Sequence, residues 1–256
     1  TIDGLKVPDG RSLLLVGGDV KLDGGIIKAP GGRVELGGLA APGEVEIIGN
    51  TNLGLRFPDG VAKSDISLIN QAQITSSITN GGGEEAGIVI LRGNNVSVDN
   101  SSIFSQILEG GQGNPGGILI EAGSLSVSNS ARIASSSYGS GSAGAILIKV
   151  DGPVSLTTNS ALQSNIENGA TNSTGGLVSI TAGSLSLESG AQVQTIVRGN
   201  EDGQTPGQGN AGKIFVDVRD TITLDGVGFV NGQPFASAIS SRVGSGATGD
   251  AGNIQI

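Results

Sequence analysis

Residues 116–136 (GGILIEAGSLSVSNSARIASS) can be written beneath residues 87–106 (GIVILRGNNVSVDNSSIFSQ) without a gap. Val89 then falls on Ile118, Leu91 on Ile120, Val96 on Leu125, Val98 on Val127 and Phe104 on Ile133. The copies begin 29 residues apart, and within each the aliphatic residues alternate with small polar ones. Such alternation marks strands with one buried face. The unit therefore reads as three short strands and a loop. One copy cannot bury its apolar face alone, so repetition requires it to stack on the next.

The repeat extends well beyond its clearest copies. Ile66, Leu68, Asn70, Ala72 and Ile74 match Val96, Val98, Asn100, Ser102 and Phe104 at a constant offset of 30. Upstream, Leu13, Val16, Val20, Leu22, Ile26 and Ile27 form one shorter unit. The runs RVEL, VEII and LGLRF within residues 33–57 are expected to form another. Downstream, first strands are expected after Gly144, Gly176, Gly212 and Gly252; counted from Gly87, the units are spaced 29, 28, 32, 36 and 40 residues. Strand lengths hold while loops grow, which a stack tolerates because a longer surface loop costs little in closure entropy.

Self-similarity at this distance makes each strand's best-matched neighbour its own copy in the next unit, unlike a series of hairpins joined by two-residue turns. Parallel in-register stacking would place Val89, Ile118, Ile146, Val178 and Ile214 in one interior ladder. The spacers show no helical periodicity, which excludes alternating strands and helices. The expected fold is all-β: a single-stranded parallel β-helix, or β-solenoid, of about eight rungs of three short strands, roughly 40 Å long at the usual strand spacing. Strand-crossover handedness makes it right-handed. Residues 1–256 form one continuous segment, expected to be an excerpt of a longer chain because the pattern is already running at Thr1 and stops inside a strand.

Composition fits a thin layered interior. Glycine numbers 46 and aromatics make up 2%, with no Trp, Met, Cys or His, so a core built on large side chains is excluded. A net charge of -9 without a Lys/Arg cluster argues against nucleic acid or an anionic membrane as partner. Lack of cysteine removes disulfides and thiolate metal sites. No run of 18 apolar residues is present.

Several motifs bear on chemistry. Four G-x-G-x-x-G matches begin at Gly111, Gly139, Gly207 and Gly244, but a dinucleotide site needs this motif to open a helix. Here each leads towards a strand, so they are expected to close successive coils. A phosphate-loop reading of residues 207–213 fails because Ile214 stands where Ser or Thr would reach magnesium. Asp99, Asn100, Asn168, Asn172, Asp202, Asn210 and Asp250 offer oxygen ligands without the fixed spacing of a calcium repeat, and turn chemistry accounts for them. Asn70, Asn100, Asn129 and Asn159 recur after a strand and are expected to stack as a side-chain ladder. No cofactor or metal site is expected.

A polysaccharide-cleaving β-helix would need converging carboxylates and aromatic platforms. Glu121, Asp151, Asp217, Asp220 and Asp225 form no repeated pair in sequence, and no catalytic residue is assigned. Residues 225–235 (DGVGFVNGQPF) hold Phe229 and Phe235 in a long insertion. This is either a small apolar cluster over the sheet or a contact patch for a partner.

Through residues 12–38 (SLLLVGGDVKLDGGIIKAPGGRVELGG), AGKIFVDVRDTITLDG and TGDAGNIQI, the chain resembles the filamentous-haemagglutinin-like exoproteins of Gram-negative bacteria, particularly cyanobacterial ones. The resemblance implies two-partner secretion through an outer-membrane barrel, folding outside the cell as a right-handed β-helix, and a role in adhesion or surface fibres. The only Asn-Pro, Asn114–Pro115, lacks the following Asn of that family's secretion-domain motif, which places the segment downstream of such a domain. The expected function is a non-catalytic, secreted, cell-surface stalk that presents loops to a protein or glycan partner on a cell surface or matrix. The alternatives are a polysaccharide lyase or hydrolase and a scaffold unit of a surface layer or filament, in which exposed sheet edges would allow end-to-end self-association.

Overall fold

The computed structural model describes residues 4–50, 52–78, 87–200 and 203–256. It is all-β, with no helix among the described residues, and its long sheets are parallel. Such an arrangement is compatible with a β-solenoid.

One series of strands runs Leu13–Gly17, Arg33–Gly38, the first half of Ile88–Asp99, the first half of Gly117–Ser128, Ile146–Val150, Val178–Ala182, Ile214–Val218 and Ile254–Gln255. A second passes through Val20–Asp23, Ile66–Ile69, the second halves of the same two long strands, Pro153–Leu156, Ser184–Glu188 and Ile222–Asp225. A third sheet is built from Leu5–Lys6, Ile26–Lys28, Gln73–Thr75, Ser102–Phe104, Arg132–Ala134, Ala161–Gln163, Gln192–Val197 and Ala238–Val243. In two repeats the first and second strands are thus one twelve-residue strand rather than two short ones. The alternation of burial breaks inside it at Asn94 and Asn95, both exposed, and the strand changes face there.

The register puts like on like. Val34, Val89, Ile118, Ile146, Val178 and Ile214 pair in succession, as do Leu36, Leu91, Ile120, Ile148, Ile180 and Val216. Ile66, Val96, Leu125, Val154 and Leu185 repeat this in the second series, and Ile27, Ile74, Ile103, Ile133, Leu162 and Val193 in the third. All these side chains are buried. Each removes apolar surface worth about 1.5–3 kcal/mol from water, so aliphatic ladders alone make a continuous interior.

Two expectations change. The alignments put Phe104 on both Ile74 and Ile133, but the buried partner of each is Ile103. The corner after Asp99 is one residue shorter than its successor: Asn100 alone is left-handed there, whereas both Asn129 and Ser130 are in the next copy. Secondly, Glu46–Ile48 and Gly54–Arg56 are not strands of the stack but an antiparallel hairpin, and the stack resumes at Ile66. Their alternation is genuine strand patterning, but periodicity does not say with what a strand pairs.

The corner asparagines carry positive φ, a conformation Asn tolerates better than most residues. They do not bond to one another. Asn70 and Asn129 donate instead to the carboxylates of Asp23 and Asp99 in the preceding copy. Inside, a column of hydroxyls sits two residues after the inward aliphatics of the third sheet from Ile74 onward, Ala29 holding that place after Ile27. Ser105 Oγ donates to the Gly87 carbonyl at 2.6 Å, Ser135 Oγ to Ser105 O at 2.8 Å, Ser164 Oγ to Ser135 O at 2.9 Å and Thr195 Oγ1 to Gly212 O at 2.7 Å. These bonds satisfy buried hydroxyls and carbonyls together. The glycine-rich loops cross beyond this column, where Ser140–Ser142, Thr171–Thr174 and Gly209–Asn210 form a further parallel sheet. A Cβ on Gly176, Gly212 or Gly252 would strike the carbonyl of the glycine beneath it, so main chain lies directly on main chain there.

Candidate functional site

Two hairpins and two grooves depart from the repeat. The first hairpin lies over the outer side of the first sheet. It covers Glu35, whose side chain is 0% exposed; the Leu55 amide donates to Glu35 Oε2 at 3.0 Å and Arg33 Nε donates to the same oxygen at 2.8 Å. Arg92 bridges Glu35 Oε1 and Glu121 Oε2, the latter at 2.8 Å, and Lys149 reaches Glu121 Oε1 at 3.5 Å. Arg92, Glu121 and Lys149 are register partners in consecutive copies, so the sheet itself aligns the alternating charges.

The second hairpin, Val227–Val230 with Gln233–Ala236, occupies the corner between second and third strands. Phe229 lies opposite Pro234 and Phe235 opposite Gly228, which sends the two rings to opposite faces. Phe235 (41% exposed) and Val230 line a recess with Gln163, Gln194 and Arg242 of the third sheet, while Phe229 is 64% exposed. The hairpin is fastened by Asn159 Nδ2 donating to the Phe229 carbonyl at 3.1 Å and Gly190 N donating to Ser237 Oγ at 3.1 Å. Sequence reasoning placed the two rings together; the ladder separates them.

The carboxylates weighed for catalysis divide. Glu121, Asp151 and Asp217 line one open groove of 680 Å³ with Lys63, Lys149 and Arg219, whereas Asp220 and Asp225 are not among its lining residues. Glu121 and Asp217 occupy the same strand position three register steps apart, about 14 Å at the usual strand spacing. That exceeds the roughly 5–9.5 Å separating the carboxyl pairs of glycoside hydrolases. Burial tends to raise the Glu121 pKa, but Arg92 and then Lys149 hold it below the ordinary glutamate value. A proton donor requires the opposite shift. Arg219 donates to the Asp151 carbonyl across the groove.

No family model, curated protein or solved structure matches this chain. The site must therefore be read from its own chemistry.

Among the described residues no three Asp, Glu, His or Cys side chains converge as a metal site would require. The oxygen-bearing corner residues serve the fold: Asp99 accepts from Ser128 Oγ at 2.6 Å, and Asn210 Oδ1 accepts from the Asp250 amide at 3.0 Å. Asp202 lies outside the described residues. The glycine motifs at Gly111, Gly139 and Gly207 lie in the loops that close one copy and lead into the next first strand, with no helix to receive a phosphate. The charge row Arg92–Glu121–Lys149 was missed in sequence, although its offsets of 29 and 28 are those of the aliphatic ladders beside it.

Proposed function

We propose that this segment is a non-catalytic stalk of a secreted, cell-surface exoprotein: a single right-handed β-helix of about eight rungs that carries adhesive loops outward. The observation that supports it most is the division of labour along the chain. Aliphatic and hydroxyl ladders continue from copy to copy, whereas the hairpins are insertions between strands of the stack, one folded over the first sheet and the other leaving Phe229 exposed. A rod with a constant interior tolerates such excursions, and loops on rigid scaffolds commonly carry binding. Single-handed strand crossovers favour the right-handed winding. Export through an outer-membrane barrel follows from the family resemblance.

Antibody raised to the segment should label intact producing cells, and its Fab fragments should reduce their attachment to a surface or matrix. Labelling only after lysis would refute the reading.

The groove containing Glu121, Asp151 and Asp217 favours one competing reading, a polysaccharide-active enzyme. The Glu121–Asp217 spacing and the ion pairing of Glu121 weigh against it. Release of reducing ends or unsaturated uronates from polygalacturonate, lost on Asp217→Asn, would establish it.

A further inference from the structure

A second groove runs along the glycine-rich loops and differs in chemistry from the charged one. It encloses 710 Å³. Gln112, Tyr138, Asn168 and Gln204 line it, one from each of four successive loops, with Thr205 and Glu109 beside them. Most of the remaining lining is glycine, which keeps the floor low and the backbone accessible. Tyr138 is the only tyrosine in the chain, and the residue is 37% exposed.

We propose that this groove binds a neutral oligosaccharide. Each amide side chain can donate and accept at once, which suits the paired hydroxyls of a sugar ring. Asn168 Nδ2 donates to Gln204 Oε1 at 3.0 Å, so the two amides already form a connected polar rail. The Tyr138 ring supplies the flat apolar surface on which a pyranose C–H face rests. Burial, with Glu167 nearby, raises the phenol's pKa and leaves its hydroxyl available as a donor.

Charge selects against the other ligand classes. Among the described residues no Lys or Arg lines the groove, and the one carboxylate in its lining is Glu109. Uronates, sulfated glycans and nucleic acids would meet the Glu109 carboxylate with no cation in the described lining to pair with them. A peptide would find little apolar surface beyond one ring. The four contributing loops advance along the stack by about 14 Å in three steps, so a short linear chain rather than a single sugar fits its length.

This site deepens the adhesive reading and rests on it. Because the chain has one tyrosine and no tryptophan, its intrinsic fluorescence reports this groove alone. The intact segment is titrated with cellotetraose, maltotetraose, tetra-N-acetylchitotetraose and tetragalacturonate, and affinities of variants are measured by calorimetry. At least one neutral tetrasaccharide should give a saturable fluorescence change, and tetragalacturonate none. Tyr138→Ala should weaken that binding about tenfold or more, with Gln204→Ala weakening it and Lys149→Ala in the charged groove leaving it unchanged. Should Tyr138→Ala fail to fold by circular dichroism, Gln204→Ala against Lys149→Ala decides the matter. Absence of binding by every neutral sugar, binding of tetragalacturonate alone, or full affinity in a folded Tyr138→Ala or Gln204→Ala variant would overturn the proposal. Failure here while Fab fragments still block attachment would remove the groove and spare the adhesive reading.

Discussion

The two hairpins leave the same parallel stack and differ in what lies beneath them. The hairpin of Glu46–Ile48 with Gly54–Arg56 covers a carboxylate with no access to water, held by two arginines and a backbone amide. That of residues 227–236 leaves Phe229 in solvent and is fastened through its backbone and Ser237. The first completes an ion network that the sheet would otherwise expose; the second presents an aromatic side chain that the stack does not need. An insertion is therefore structural where it desolvates a charge row, and free to serve binding where its hydrogen bonds to the stack leave its aromatic side chain in solvent.

Glu35→Ala tests the contrast most severely. It leaves Arg33 and Arg92 partly buried beside a missing partner, and urea unfolding should show a loss of about 3 kcal/mol. Gly37→Ala comes next. Its Cβ would meet the Phe57 ring and push at the first hairpin's seat, costing about 1–2 kcal/mol in the same assay. Glu121→Gln addresses the charge row by pH. The folded pKa of Glu121 lies below its ordinary value of 4.5, so its contribution is fully present above that pH and is lost as pH falls through the lowered value. The variant should lose stability near neutrality and show a shallower acid limb. Phe229→Ser should change stability by less than about 0.5 kcal/mol while reducing any attachment that the second hairpin mediates. A large unfolding effect from Phe229→Ser, or none from Glu35→Ala, would erase the distinction between the two insertions.

Much of the stack was legible because strand register and sequence repeat share one period. Val89, Ile118, Ile146, Val178 and Ile214 pair as their spacing requires, and the glycines before each first strand align with them. The hydroxyl column was equally periodic, since Ser76, Ser105, Ser135, Ser164, Thr195 and Ser241 each follow an inward aliphatic by two residues. It escaped notice because small polar residues read as turn formers. Phe104 was misplaced because alignment is blind to a corner one residue shorter. The first hairpin reads as a rung because Val45, Glu46 and Ile47 alternate apolar and polar as a half-buried strand would, yet Ile47 is 67% exposed. The Tyr138 groove had no sequence signature, since its lining comes from four loops of unequal length whose proximity exists only after stacking.

Engineered disulfides test parallel in-register stacking most directly, as the chain contains no cysteine. Ser97, Ser126 and Ser155 are register partners in three consecutive copies. Ser97→Cys with Ser126→Cys, and Ser126→Cys with Ser155→Cys, should each close an intramolecular bond on mild oxidation, because neighbouring strands fall within the Cα separation of about 4.4–6.8 Å that a disulfide accepts. The offset pair Ser97→Cys with Ser124→Cys should remain reduced. Efficient linkage of the offset pair, with the two matched pairs unlinked, would contradict the stack on which every other conclusion stands.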